Sequence, residues 1–69
     1  MRILVIDDND INRLTVQRLL GKRGFRVIES SDALDGIEQA RRCAPDLILL
    51  DLQLPEMDGF EALGRIRAL

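Results

Sequence analysis

The chain has 69 residues, of which 46% are hydrophobic and 32% charged, and its formal net charge is -2. This length fits one compact domain over residues 1–69 without a second domain, and the mixed composition excludes a disordered chain. The mild acidity and the presence of only two aromatic residues argue against direct nucleic-acid binding. No apolar run is long enough for a membrane span, and the N-terminus lacks a signal-peptide pattern. Because the lone Cys43 also suits a reducing compartment, we expect a cytoplasmic protein.

Short apolar stretches typical of strands alternate along the chain with patterns typical of helices. The expected strands are residues 2–6, 25–30 and 46–51, and the expected helices are residues 9–24, 31–43 and 58–69. This alternation predicts an α/β fold with a parallel sheet and right-handed crossovers. The first and third strands are continuously apolar, as in a sheet covered on both faces, whereas the second alternates like an edge strand. We therefore expect the strand order 2-1-3.

The sequence also marks where the helices begin and which faces they bury. The expected N-caps are Asn9 or Asp10, Ser31, and Asp58 with Glu61 at capping-box spacing, and Gly24 is expected to end the first helix. The expected buried positions are Ala33, Leu34, Ile37 and Ala40 in the second helix, and Phe60, Leu63 and Ile66 in the third. Apolar residues of the first helix spread over about 240° of its circumference at about 100° per residue, so one sheet face cannot cover them all.

Acidic residues follow the two strands that are expected to be neighbours. Asp7 and Asp8 come directly after the first strand, and Asp51 comes directly after the third. In an open parallel α/β sheet, ligands bind beyond the carboxyl ends of the strands, near the switch in strand order. Like charges this close need compensation, and Mg²⁺ is a natural partner for clustered carboxylates. We expect a Mg²⁺ site formed by Asp7, Asp8 and Asp51, with the backbone carbonyl of Gln53 as a further ligand.

Two segments, "ILVIDDNDINRL" and "LILLDLQLPEMDGFE", together with their spacing, resemble the response-regulator receiver domain of two-component signalling. The resemblance covers the whole of this chain, which corresponds to only about the first half of a usual receiver. "DDNDINR" and "DLQLPEMDG" are most similar to receivers attached to hybrid histidine kinases. The resemblance implies a truncated flavodoxin-like fold of three parallel strands and three helices.

The resemblance also implies a role for each acid, in a signalling module that is not an enzyme. Asp51 would accept a phosphoryl group from the phosphohistidine of a histidine kinase or phosphotransfer protein, or from a small donor. Asp8 and Asp51 would bind Mg²⁺ directly, and Asp7 largely through water. The Gln53 side chain would face attacking water and tune the lifetime of the phosphoryl group.

A usual receiver has two further strands, which carry a Ser or Thr and a Lys that contact the phosphoryl group. The single lysine of this chain, Lys22, falls at the end of the first helix, and its single threonine, Thr15, falls inside that helix. Ser30 and Ser31 follow the far edge strand. We therefore expect weak metal binding and slow phosphorylation.

One alternative is a self-associating module that does not accept phosphate. Strand 46–51 would lie on an open edge, and such edges pair readily with other chains. Together with helix 10–22, this strand would bind a second copy, forming a homodimer, or a complementary half.

Another alternative is a phosphohydrolase of the haloacid-dehalogenase type, which also uses an aspartyl nucleophile. Asp8 and Asp10 form an Asp-x-Asp pair after the first strand, but Asn12 stands where that family has a small hydroxyl residue. Substitution of Asp10 separates the two families, because it should be nearly silent in a receiver and fatal in the hydrolase.

Overall fold

The computed structural model describes residues 1–51, 54 and 57–69. Strands and helices alternate as the sequence predicts. The elements are β1 (Arg2–Ile6), α1 (Asp10–Lys22), β2 (Arg26–Ser30), α2 (Ala33–Cys43), β3 (Leu47–Leu50) and α3 (Gly59–Arg67). No helix in these ranges is both long enough and apolar enough to cross a membrane.

The three strands form one parallel sheet in the order β2-β1-β3, which confirms the predicted topology. Ile6, the last residue of β1, pairs with Ser30 of β2 and with Leu50 of β3. The three strands therefore end level with one another. The residues that follow β1 and β3 consequently emerge side by side at the carboxyl edge of the sheet.

One face of the sheet is closed by α2 and α3. Leu4 and Ile6 of the central strand are almost fully buried on this face. The buried cluster consists of Leu4, Ile6, Ala33, Ala40, Leu54, Met57 and Ala62. Gly36 of α2 lies so close to the sheet that a Cβ there would stand 2.5 Å from Cδ1 of Ile6. The backbone of α2 thus approaches β1 more closely than any side-chain-bearing residue at that position would allow.

The opposite face carries α1 alone among the described elements. Ile3 and Val5 of β1 are buried there, but α1 has no buried residue. Ile11, Leu14 and Leu19 of α1 remain exposed. This agrees with the expectation that the sheet cannot cover the full apolar circumference of the first helix.

Two predicted core positions are wrong. Leu34 is 58% exposed and Phe60 is 74% exposed. The residues that α2 and α3 bury instead are small. The positions actually buried in these helices are Ala33, Gly36 and Ala40 of α2 and Gly59 and Ala62 of α3. The buried face of each helix therefore lies on its small residues, which places Leu34 and Phe60 toward solvent.

The helix boundaries follow the capping signals with one correction. Asn9 and Asp58 are the N-caps of α1 and α3, where their side chains accept hydrogen bonds from the backbone N–H groups of Asn12 and Glu61. The cap of α2 is Asp32 rather than Ser31, since the Asp32 carboxylate accepts from the N–H of Asp35 at 2.7 Å. The remaining predicted signal also holds, because the chain leaves α1 with Gly24 at a φ of +84°.

Candidate functional site

The acidic residues after β1 and β3 are held by a continuation of the sheet hydrogen bonding. The backbone N–H of Asp51 donates to the carbonyl of Ile6 at 2.9 Å, and that of Asp7 donates to the carbonyl of Ser30 at 3.1 Å. Both residues therefore leave the sheet from fixed backbone positions. The rigidity comes from the central strand, whose side chains are packed in the core.

Three carboxylates meet at this edge. One oxygen from each of Asp7, Asp8 and Asp51 lies within 4.8 Å of the others. Asp7 and Asp51 are half-buried, and Asp8 is exposed. Two oxygen ligands of one Mg²⁺, each at about 2.1 Å, lie at most about 4.2 Å apart. Small rotations of these side chains would bring all three oxygens into range, so the donor set fits a hard divalent cation.

The turn from β1 into α1 shapes the acidic cluster. The Oδ1 atom of Asp7 accepts a hydrogen bond from the N–H of Asn9 at 2.9 Å. The Asn9 side chain in turn accepts from the N–H of Asn12 at 3.0 Å and begins the helix. The Asp7 carboxylate is thus oriented by the turn while its second oxygen is left for other contacts.

Arg13 is part of this turn, although the sequence patterns did not predict it. Its Nη1 atom donates to the backbone carbonyl of Asp7 at 2.7 Å, and Nη2 donates to the Asp10 carboxylate. The available signal was a cation one turn into α1, directly after two acids that precede the helix. Helix periodicity does not reveal this contact, because it depends on how the preceding turn folds back.

A groove of about 440 Å³ runs beside the carboxylates on the face that carries α1. Its apolar wall includes Val5, Val16 and Leu49, and its acidic end is formed by Asp7 and Asp51. The two half-buried acids are therefore reachable from solvent through this groove. A substrate group could approach Asp51 there without any movement of the closed face.

Asp7, Asp8 and Asp51 lie together where the sequence places them, and their roles stay a prediction. Gln53, the further expected ligand, lies outside the described residues. Lys22 stands in the last turn of α1, about 18 Å along the helix from Asp10 at 1.5 Å per residue. The Ser30 hydroxyl is engaged elsewhere, 2.8 Å from Oδ2 of Asp35 and 2.9 Å from the Asp32 carbonyl.

Asp10, the residue that distinguishes the hydrolase alternative, does not share the site with the other acids. Its side chain is 87% exposed and pairs with Arg13. The carboxylates that come together in the described part of the chain are those of Asp7, Asp8 and Asp51. The position of Asp10 gives the hydrolase alternative no support.

The chain resembles curated proteins over nearly its whole length. It is 39% identical over 69 residues to the "virulence factors putative positive transcription regulator BvgA" of Bordetella pertussis, and 37% identical over 67 residues to the chemotaxis protein CheY of Bacillus subtilis. The alignments cover 99% and 96% of this chain, but 33% and 56% of those relatives. The chain thus spans between a third and just over half the length of these relatives.

Solved structures show the same arrangement of strands and helices. The N-terminal domain of a response regulator receiver protein from Methanoculleus marisnigri JR1 has a TM-score of 0.92 at 35% identity, covering 96% of this chain and 54% of that chain. The receiver domain of the hybrid histidine kinase CckA also has a TM-score of 0.92, at 33% identity, covering 97% of this chain and 64% of that chain. The fold is therefore the three-stranded part of a flavodoxin-like receiver, while attachment to a hybrid kinase stays a prediction.

A family model confirms what the fold, the acidic edge and the relatives indicate together. The model described as "response regulator receiver domain" matches residues 3–69. The chain therefore belongs to the response regulator receiver domain family of two-component signalling.

Proposed function

We propose that this chain is a phosphoacceptor in a two-component phosphorelay, with Asp51 as the acceptor and Asp7, Asp8 and Asp51 as ligands of Mg²⁺. The single observation that carries the proposal is the convergence of one oxygen from each carboxylate within 4.8 Å at the carboxyl edge of the sheet. Receiver domains as a family interact with histidine kinases or phosphotransfer proteins, and we propose such a donor here. The chain would act as a signalling module, not as an enzyme with a released product.

In the proposed reaction, a carboxylate oxygen of Asp51 attacks phosphorus in line with the leaving group. An O–P bond forms at Asp51 while the donor's P–N bond breaks, and the histidine imidazole leaves with its electron pair and takes up a proton. With a small acyl phosphate donor, the bond that breaks is P–O. Bound Mg²⁺ would supply neutralisation of the charge on the transferring oxygens.

The chain's own residues contribute position and access. The hydrogen bond from the Asp51 N–H to Ile6 holds the backbone of the nucleophile against the central strand. A fixed nucleophile lowers the entropic cost of reaching an in-line geometry. The groove beside Val5 and Leu49 gives the donor a path to the half-buried Asp51. Gln53 is proposed to contribute its backbone carbonyl as a ligand and its side chain near attacking water.

Phosphorylation of the 69-residue chain is proposed to be slow and its Mg²⁺ binding weak. The lysine, threonine and serine residues of the chain are Lys22, Thr15, Ser30 and Ser31, and both serines come at the end of the far edge strand β2. Lys22 lies at the distant end of α1, Thr15 bonds the Ile11 carbonyl within that helix, and Ser30 bonds toward α2. Lys22, the one cation among them, is therefore too far away to pair with a phosphoryl group on Asp51.

The test is intact-mass spectrometry of the chain with a small-molecule phosphodonor, with and without Mg²⁺. We expect a minor species heavier by one phosphoryl group that requires Mg²⁺ and is lost in Asp51→Asn. The matched control is Asp46→Asn, an acid at the opposite end of β3 that accepts a hydrogen bond from the Arg2 N–H. Modification that persists in Asp51→Asn, or that vanishes equally in Asp46→Asn, would contradict the assignment.

A second function, self-association, is favoured by a different observation. Among the described residues β3 pairs with β1 alone, and its Leu47 and Leu49 are 47% and 39% exposed. We propose that the 69-residue chain uses this edge and α1 to bind a second copy, or a complementary half that supplies the next strand. Two copies of β3 related by a two-fold axis would extend the sheet.

Sedimentation of the purified chain over a wide concentration range tests this second function. A dimer is expected that weakens in Leu49→Lys, because the added charge would be buried in the interface. Leu34→Lys is the matched control, since Leu34 is an exposed leucine on α2 away from β3. A wild-type chain that remains monomeric at the highest concentration would exclude self-association.

A further inference from the structure

We infer that Arg13 is a positioning residue, which fixes the turn between β1 and α1 so that Asp7 and Asp8 present their carboxylates to one cation. This inference rests on the proposed function, because it concerns the same Mg²⁺ site. It goes beyond that function by assigning a role to a residue that is not itself a ligand.

The first observation is the number of segments that Arg13 joins. Its guanidinium contacts the Asp7 carbonyl, the Asp10 carboxylate, and, with Nε at 3.7 Å from Oε1, the carboxylate of Glu29 on β2. The Arg13 side chain is only 15% exposed. Arg13 therefore links the end of β1, the start of α1 and the neighbouring strand through one planar group.

The second observation is that both polar backbone atoms of Asp7 and one of its carboxylate oxygens are held by hydrogen bonds. Its N–H donates to Ser30, its carbonyl accepts from Arg13, and its Oδ1 accepts from the N–H of Asn9. The Asp7 carbonyl belongs to the same planar peptide unit as the N–H of Asp8. By fixing this plane, Arg13 sets the direction in which the exposed Asp8 side chain leaves the turn.

The positive charge of Arg13 and its hydrogen bond to Asp7 should have opposite effects on Mg²⁺ affinity. A cation close to the acidic edge repels Mg²⁺, so removal of the charge alone should strengthen metal binding. Loss of the hydrogen bond to Asp7 should instead loosen the turn and weaken metal binding. The two roles therefore predict opposite signs for the same substitution.

Arg13→Lys separates geometry from charge. Lysine retains the positive charge but lacks the planar fork that reaches the Asp7 carbonyl and the Asp10 carboxylate together. A role based on charge predicts wild-type Mg²⁺ affinity in this variant. A positioning role predicts weaker binding in Arg13→Lys as well as in the neutral Arg13→Gln.

The experiment is a Mg²⁺ titration followed by ¹H–¹⁵N NMR for the wild type, Arg13→Lys and Arg13→Gln. Residues that orient metal ligands without binding the metal typically contribute about 10–100-fold in affinity, so we expect Kd to rise about tenfold in both variants. Arg18→Gln is the charge-matched control on an exposed turn of α1, and its Kd should stay close to wild type. Thermal melting without metal gives the stability of each variant.

A general loss of stability is separated from positioning by Leu20→Ala. Leu20 is a half-buried residue near the other end of α1, and its truncation should lower Tm while leaving the Mg²⁺ Kd unchanged. Wild-type affinity in Arg13→Lys, or tighter binding in Arg13→Gln, would overturn the positioning role while leaving the proposed function intact. Absence of Mg²⁺ binding by the wild-type chain would instead overturn the proposed function and this inference with it.

Discussion

The two faces of the sheet are built in different ways. On one face, α2 and α3 close over Leu4 and Ile6, the residues that these helices bury are small, and Gly36 brings the backbone of α2 close to Ile6. On the other face, α1 covers Ile3 and Val5 without burying any residue of its own, and Leu49 is left partly exposed. The closed face supplies rigidity, and the open face supplies access.

The acidic edge depends on both properties. The central strand is held by the closed face, so Asp7 and the Ile6 carbonyl that binds Asp51 have fixed positions. The groove that reaches Asp51 lies on the open face, beside Val16 and Leu49. The site is therefore rigid where its acidic residues leave the sheet and open where the proposed phosphodonor would approach.

The largest expected effect is on the closed face. Leu4→Ala should lower the free energy of unfolding by about 2–5 kcal/mol, because it leaves a cavity in a fully buried position. Leu49→Ala on the open face is the comparison, and it should cost about 1 kcal/mol because the side chain is already partly in water. Urea unfolding followed by circular dichroism measures both. Equal losses would show that the two faces do not differ in packing.

A smaller effect is expected from adding one methyl group to each of two helical glycines. Gly36→Ala places a Cβ 2.5 Å from Cδ1 of the buried Ile6. The overpacking should lower the free energy of unfolding by about 1–3 kcal/mol, and a gain in helix propensity of about 1 kcal/mol should offset part of this loss. Gly64→Ala is the matched control, since its Cβ would meet no atom within 4 Å. Thermal melting should show a lower Tm for Gly36→Ala and a higher Tm for Gly64→Ala. A higher Tm for both would contradict the close approach of α2 to the sheet.

The smallest expected effect concerns Glu38, whose side chain on α2 is 43% exposed. The hydrogen bond from Arg41 is the main cause that lowers the pKa of Glu38 below its ordinary value of 4.5. A lowered pKa in the folded chain means that Glu38 stabilises the fold above about pH 4.5 and that this contribution is lost as the pH falls further. Glu38→Gln should therefore unfold slightly more easily at neutral pH and match the wild type in acid. A difference in stability between wild type and Glu38→Gln that grows in acid would contradict this prediction.

Some features of the fold and of the acidic edge are visible in the sequence because they depend on simple patterns. Continuous apolar strands and an alternating edge strand predict the order β2-β1-β3, and strand-end acids predict which side chains meet. The exposure of Phe60 was not predictable from periodicity, because hydrophobicity does not show that α3 buries Gly59 and Ala62 instead. The contact of Arg13 with the Asp7 carbonyl depends on the path of a turn, which no residue spacing specifies.

Asp7, Asp8 and Asp51 are proposed to bind one divalent cation at the edge shared by the two faces. The most direct measurement is an NMR titration with substoichiometric Mn²⁺, which broadens the signals of nearby amides. We expect broadening that is confined to residues around Asp7, Asp8 and Asp51, is competed by Mg²⁺ and is abolished in Asp8→Asn. Broadening of similar size around Glu38 or Asp46 that is unchanged in Asp8→Asn would contradict a single site. It would show that the cation binds nonspecifically to acidic residues over the surface.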